Sequence, residues 1–468
     1  MTALALIVAA LKGAEKAPLV EYRGRSFTGA ELLGRIRARA DDLRAAGLRD
    51  GDTALIVVND NLSAIEQLIA CWWLGASGCL VDFRSAPARI AEWVARLAPG
   101  LVIGLRPVLG TGIHLQTRNP DPDSAFADPL PDNPDRIALS WSSSGSTGMP
   151  SLHARSQQVL ATALRRYIAE SQAEPWGTML SPVSVAYSAS CHRWLRNLAA
   201  AKPIVALDLI HGIDELDAAL RREDVKECSL PPAMIRRLAA MPGDGIRYPQ
   251  LDRLVSVGGP ALPADKVAAV TRLSPNYTMT YSCVGIGLIA RIAGADILAR
   301  PTSCGRPASG VTVEIRDGDR PCLPGQTGEI VVTADQRDAA RPGDLGWLDA
   351  EGYLHVAGRI QGLLCRNGVN FRAEGLAAAA LALPAVEDAA VIALPDADGG
   401  DEVHLVVQGP DTCASLLAES LRTALPAAER PDRIHFRDRL PLSAAGKVDL
   451  RALAQEIRTA IAAAGHAT

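Results

Sequence analysis

Through about two-thirds of the chain, short β-rich runs alternate with helix-spaced ones, and this alternation constrains the fold more than any other feature. Residues 53–58 form a β-rich run, 63–74 follow with helical spacing, and 78–83 read as a strand. A helix opened by proline is expected at 87–97 and a strand at 101–104. The theme returns with a strand at 203–210, a helix at 213–222, a strand at 251–257, a helix at 263–273 and a strand at 277–282. Such alternation predicts a largely parallel sheet with helices on its faces, because parallel neighbours need a crossover long enough to hold a helix.

From about residue 308 the pattern changes. Residues 311–316, 328–333 and 352–357 are short runs separated by Gly, Asp and Pro turns, which predicts antiparallel strands closing a small β-barrel-like subdomain. Beyond Arg359 comes a smaller α+β unit, with a helix at 374–383, strands at 386–394 and 403–408, and a helix at 413–425. The fold class expected is therefore α/β, with a large N-terminal domain over 1–360 and a small C-terminal domain over 361–468. At 468 residues the chain is too long for one ordinary core, in keeping with that division.

A formal charge of -4 argues against nonspecific nucleic-acid binding, and no block of basic residues suggests a membrane-surface patch. The apolar run at 4–11 is short, lacks a basic leader and is followed by Lys12, so it reads as an amphipathic first helix, not a signal peptide. No stretch reaches the ~18 apolar residues a bilayer span needs. The nine cysteines are scattered without Cys-x-x-Cys pairing, which predicts reduced thiols in a cytoplasmic protein; Cys283 and Cys365 are expected to be buried.

Chemistry concentrates in three places. Ser140 to Pro150 reads SWSSSGSTGMP after the apolar run Ile137-Ala138-Leu139, and such a strand entering a loop of glycines and hydroxyls can wrap N–H and O–H groups around phosphate oxygens. Gly343-Asp344-Leu345-Gly346 opens a Gly-Asp-rich strand pair that runs on to Gly358-Arg359. Lys447 sits in Pro441-Leu442-Ser443-Ala444-Ala445-Gly446-Lys447, and it is one of only six lysines among 48 basic residues. In a chain so biased toward arginine, a retained lysine points to a need for a compact, mobile point charge that a planar guanidinium cannot replace.

Together these segments resemble the AMP-forming adenylating enzymes, the superfamily of acyl-CoA synthetases, nonribosomal-peptide adenylation domains and firefly luciferase. Residues 143–150 look like its phosphate loop, 343–359 like its ribose-binding and hinge region, 368–371 like the swivelling motif of its mobile C-terminal domain, and 441–449 like its catalytic-lysine loop. The resemblance implies a two-step reaction: a carboxylate attacks the α-phosphorus of ATP, releasing pyrophosphate, and a thiol of CoA or of an acyl or peptidyl carrier protein then takes the acyl group. It assigns ATP to Ser143, Ser144, Gly145, Ser146, Thr147, Gly148, Gly258, Gly259, Pro260, Tyr281, Asp344 and Arg359, with Tyr281 stacking at the adenine. Lys447 becomes the catalytic cation, Gln361 the hinge, and ATP with Mg²⁺ the expected cofactors.

Three departures from the family pattern stand out. Ser151 follows Pro150 where the phosphate loop carries lysine. Tyr281-Ser282-Cys283-Val284-Gly285 lacks the Glu that helps hold magnesium, so the metal ligands are left unassigned. The acidic hinge pair has become Gln361-Gly362. Loss of one cation and one anion together leaves the local charge balance nearly unchanged. Retention of Lys447, Asp344 and Arg359 favours an active enzyme over a nucleotide-binding pseudoenzyme, and an amine acceptor or an unusual oxyacid is the alternative chemistry.

The resemblance also points to an acid pocket at Tyr187, His192, Ser256, Gly258, Thr280 and Leu288. No aspartate stands in residues 181–194 to hold an α-ammonium, so aryl or short to medium acyl acids are expected in place of α-amino acids. Gly258 and Thr280 suggest room for such a group. His192 and Arg193 could anchor a second polar group, but the expectation for both is a helix surface.

Overall fold

A computed structural model describes residues 1–85, 87–104, 128–142, 152–173, 177–209, 211–258, 261–283, 286–334, 339–360, 363–366, 369–395, 401–442 and 448–465. The chain divides into two compact units. The first comprises Met1–Ala261, Asp265–Met279 and Ala293–Leu298, and the second comprises Leu262–Ala264, Thr280–Ile292 and Ala299–Thr468.

The chain opens with α1 (Ala3–Gly13), started by Thr2, whose hydroxyl accepts from the Ala5 N–H at 3.2 Å. Its buried residues are Ala3, Leu4, Ile7 and Leu11, the stripe expected of an amphipathic helix. The hairpin β1 (Pro18–Tyr22) and β2 (Arg25–Thr28) leads into α2 (Gly29–Ala45), fixed at its start by a reciprocal Thr28–Glu31 capping box. Then come β3 (Thr53–Val58), α3 (Asn61–Trp73), β4 (Ser77–Asp82), α4 (Pro87–Leu97) and β5 (Leu101–Ile103). These match the expected alternation closely. β6 (Ile137–Ser142) and β7 (Leu152–Ser156) complete a sheet in the order β5-β3-β4-β6-β7, parallel except for β7.

Alternation along β3 explains why that strand is apolar throughout. Ala54, Ile56 and Val58 enter the main core with α1, α2 and α3, whereas Leu55 and Val57 pack with Ile90, Trp93 and Val102 on the opposite face. A parallel strand covered on both faces has no side left for polar residues.

The rest of the first unit adds α5 (Gln157–Ala173), β8 (Thr178–Ser181), α6 (Ser188–Ala199), β9 (Ile204–Ala206), α7 (Ile213–Leu220) and β10 (Val225–Leu230). After these come α8 (Pro232–Ala240), β11 (Arg253–Ser256) and α9 (Pro263–Ala268). A π-turn at Ala269–Leu273 extends α9 before β12 (Tyr277–Cys283) begins. In this unit the strands run β12-β11-β10-β8-β9-β1-β2, parallel apart from the β1–β2 hairpin. The strand expected over 203–210 is only Ile204–Ala206. Asp208 instead turns out of the sheet to accept from the Tyr22 hydroxyl at 2.7 Å.

The second unit contains β13 (Gly287–Ala293), the end of α10 (Gly294–Ala299) and β14 (Arg306–Pro307). It continues with β15 (Val311–Asp317), β16 (Arg320–Pro321), β17 (Gly328–Ala334), β18 (Asp344–Leu348) and β19 (Leu354–Arg359). β16-β15-β17-β18-β19 form one antiparallel sheet, as the turn-separated runs predict. A hairpin of β20 (Leu363–Arg366) and β21 (Val369–Arg372) follows. The C-terminal part consists of α11 (Ala373–Leu381), β22 (Asp388–Pro395), β23 (Asp401–Gln408), α12 (Ala414–Ala424), β24 (Arg433–Arg437) and α13 (Leu450–Gly465). β24 is a strand the sequence reading lacks; it pairs parallel to β23, and α12 supplies the crossover.

Candidate active site

In the first unit the candidate residues cluster where α6 crosses β8 and β10. Asn61 fixes the loop before α6, donating to the Val183 carbonyl at 3.0 Å and accepting from the Val185 N–H at 2.8 Å. The helix is then held onto β8 by Trp194, whose indole N–H donates to Ser181 Oγ at 2.7 Å. Tyr187 stands at the start of this helix. Gly258, just past β11, has φ +90°, and a Cβ there would lie 2.2 Å from the Tyr187 hydroxyl. Only glycine suits that position, on conformation and on space. The room that Gly258 was expected to give a substrate is taken by the Tyr187 side chain.

His192 and Arg193 overturn the helix-surface expectation. Both face inward. The His192 ring lies 5.0 Å from that of Trp141, and its Nδ1 is 2.8 Å from the Ser188 carbonyl. A carbonyl only accepts, so Nδ1 carries the proton. Burial pushes the imidazole pKa down to about 4, so His192 is neutral at pH 7. Arg193 Nη1 donates to Glu227 Oε1 at 2.7 Å. Glu227 is 2% exposed and also bonds Arg196. Burial raises the Glu227 pKa, but Arg196, Arg193 and Arg253 outweigh it and hold the carboxyl below its ordinary value. Ser256 is buried at the end of β11.

In the second unit the Tyr281 hydroxyl donates to Asp344 Oδ2 at 2.5 Å. Asp344 is 5% exposed, although it begins a strand in a Gly-Asp turn region where a solvated carboxylate would be ordinary. Its backbone pairs with that of Arg359 across β18 and β19. Two residues assigned separately to the nucleotide are thus hydrogen-bonded, and the backbone of a third is in register with one of them. Thr280 and Leu288 also belong to this unit; Thr280 is half-buried, and Leu288 is exposed. Cys283 is half-buried, short of the burial expected for it.

Ser143 to Gly148, Gly259, Pro260, Gln361, Gly285 and Lys447 lie outside the described residues, as do the side chains of Arg359 and Cys365. The segments beside two of them are ordered. Ser142 pairs with Leu152 across β6 and β7, and Leu442 forms an antiparallel bridge with Val448, reinforced by the Asp449 N–H on the Pro441 carbonyl at 2.7 Å.

Among the described residues, no group of three His, Cys, Asp or Glu side chains comes together to hold a metal. No helix among the described residues is long and apolar enough to cross a membrane.

Family models match the chain twice, as an AMP-binding enzyme over residues 8–336 and as an AMP-binding enzyme C-terminal domain over residues 376–447. The chain belongs to the AMP-binding enzyme family. It is thus an ATP-dependent ligase of the adenylate-forming class, and the C-terminal family match ends at Lys447. An isonitrile lipopeptide synthase from Streptomyces coeruleorubidus is 27% identical over 93% of this chain, which spans about a third (32%) of that protein. A feruloyl-CoA synthase from an Amycolatopsis species is 26% identical over 92% of this chain and 94% of its own length. Among solved structures, the O-succinylbenzoate coenzyme A synthetase of Bacillus subtilis, in complex with ATP and magnesium, aligns with a TM-score of 0.81. It has 19% identity and covers 96% of this chain and 99% of its own. That likeness supports the α/β fold.

Proposed function

We propose that this family member activates a carboxylic acid other than an α-amino acid, forming an acyl-adenylate and pyrophosphate from ATP, and then passes the acyl group to a thiol of CoA or of a carrier-protein pantetheine. The observation that carries this reading is the Tyr281–Asp344 hydrogen bond, which fixes a buried carboxylate among the residues assigned to the nucleotide. Asp344 accepts from the ribose hydroxyls, Tyr281 fixes its rotamer, and Arg359 adds a donor. Lys447 supplies positive charge at the α-phosphate as the acid oxygen bonds to phosphorus and the bond to the pyrophosphate oxygen breaks. Bound Mg²⁺ would neutralise phosphate charge, with phosphate and water oxygens as its main ligands. Two features support the exclusion of α-amino acids. Residues 181–194 contain no carboxylate, and Glu227, beneath them on β10, already bonds two arginines.

Acid-dependent exchange of labelled pyrophosphate into ATP tests the first step. Aryl and short- to medium-chain acids should support exchange, and the twenty proteinogenic amino acids should not. Robust exchange with an α-amino acid would overturn the pocket assignment; no exchange with any acid would favour a nucleotide-binding pseudoenzyme. For the second step, the proposed boundary between the domains 1–360 and 361–468 places a hinge at Gln361. Gln361→Pro, which fixes φ there, should slow thioester formation more than adenylate formation. Equal losses in the two half-reactions would remove the hinge from this residue.

A further inference from the structure

Asn61 makes a connection that its place in α3 does not require. Asp60 already caps that helix, its carboxylate accepting from the Ser63 N–H at 2.7 Å. The Asn61 side chain, at the first helical position, turns away from the cap and is 1% exposed. Its amide donates to the Val183 carbonyl at 3.0 Å and accepts from the Val185 N–H at 2.8 Å, 122 and 124 positions along the chain. An amide offers donor and acceptor at once, which neither a carboxylate nor an apolar side chain does. α3 connects β3 and β4 of one sheet, whereas residues 182–187 join β8 of the other sheet to α6, so one side chain ties the two together at this segment.

The helix α6 does not depend on that tie. Trp194 bonds Ser181 at 2.7 Å, and Arg193 and Arg196 both bond Glu227. The segment before it does depend on it. Val185 is fully buried, so without Asn61 its N–H would lose its partner in the interior, whereas the Val183 carbonyl would keep the Ser190 hydroxyl at 2.8 Å. Tyr187 comes two residues later, its N–H donating to the Ser184 carbonyl at 3.1 Å. Its hydroxyl lies over Gly258, 2.2 Å from where a Cβ would stand, and makes no hydrogen bond among the described residues. Tyr187 also borders a cavity of about 10 Å³, room for one water, with Met179, Val183 and Val257 in its lining. Packing leaves slack beside the ring, so its place over Gly258 is set by the backbone that carries it.

We propose that Asn61 is a positioning residue for the acid: it holds the backbone of Val183 and Val185 so that Tyr187 stays over Gly258, as the floor that decides how long an acid is activated. The inference rests on the acid-activating reading above. Tyr187 is then the specificity-determining residue, and Asn61 acts through it without touching the substrate.

The test measures acid-dependent pyrophosphate exchange with unbranched and aryl acids of graded length. Tyr187→Ala should move the preferred acid to a longer one, with each further methylene that is buried raising kcat/KM by about 3- to 4-fold. Asn61→Ala should raise KM for the wild-type enzyme's best acid by roughly 5- to 50-fold and weaken discrimination by length, with KM for ATP nearly unchanged. Asn61→Asp keeps an acceptor for the Val185 N–H and should lose less. In the Tyr187→Ala background, Asn61→Ala should change kcat/KM for the acid by no more than about 2- to 3-fold, because the residue it positions is gone. Should Asn61→Ala fail to fold, Asn61→Asp takes its place, alone and with Tyr187→Ala. An unshifted length preference in Tyr187→Ala, parallel rises in KM for acid and ATP in the Asn61 variant, or fully additive losses in the double variant would overturn the inference and leave acid activation in place. Exchange with no acid of any length in the wild-type enzyme would overturn acid activation, and the inference with it.

Discussion

Lys447→Ala should reduce acyl-adenylate formation by about two to three orders of magnitude while leaving thiol transfer from a synthetic acyl-adenylate largely intact. The asymmetry follows from the proposed domain rotation, which brings this lysine to the α-phosphate for the first half-reaction and carries it away for the second. Ser151 stands where the family's phosphate loop has a lysine, so that loop offers no second lysine to compensate. Lys447→Arg should recover little, because a guanidinium is wider and more weakly hydrated than an ammonium. Both half-reactions are measured on one preparation of the mutant. Near wild-type adenylate formation would make Lys447 a surface residue and undo the central assignment.

Asp344→Ala should lower kcat/KM for ATP by roughly 10- to 100-fold, mostly through a higher KM. The carboxylate is assigned to the ribose hydroxyls, and its loss also leaves the Tyr281 hydroxyl without this acceptor. Tyr281→Phe separates the two effects: the carboxylate stays and only its orientation loosens, so a loss within about 10-fold is expected. KM for the acid should change little in either variant. If Asp344→Ala and Tyr281→Phe both leave KM for ATP unchanged, with thermal melts showing folded protein, the pair is a structural hydrogen bond and the ribose lies elsewhere.

The pattern of apolar residues made much of the fold legible. Where a strand is covered on both faces, as in β3, five consecutive buried residues from Ala54 to Val58 announce it. Where a helix presents one face, Leu4, Ile7 and Leu11 recur at its period. β10 carried no such signal, because Lys226 and Glu227 interrupt the apolar residues of Val225-Lys226-Glu227-Cys228-Ser229-Leu230. Only packing under α6 makes a buried position for Glu227, with its cost offset by arginines one turn apart on that helix. The same packing moved His192 and Arg193 from an expected surface to an interior. β24 was obscured for a related reason: Arg433-Ile434-His435-Phe436-Arg437 is a half-exposed strand with charged ends, defined by its pairing with β23.

The candidate segments were therefore legible in the sequence, since the glycine- and hydroxyl-rich run at 140–150, the lone C-terminal lysine and the Gly-Asp turn are properties of neighbouring residues. What tertiary structure decided was company. The bond from Tyr281 to Asp344 joins residues 63 positions apart, and the one from Arg193 to Glu227 joins residues 34 apart. Tyr187 fills the space above Gly258 although sequence separates them widely. A side chain's charge and hydrogen-bonding capacity are fixed by its type, but whether these are spent on water, on a neighbour or on a substrate depends on burial, and burial is set by which elements pack together.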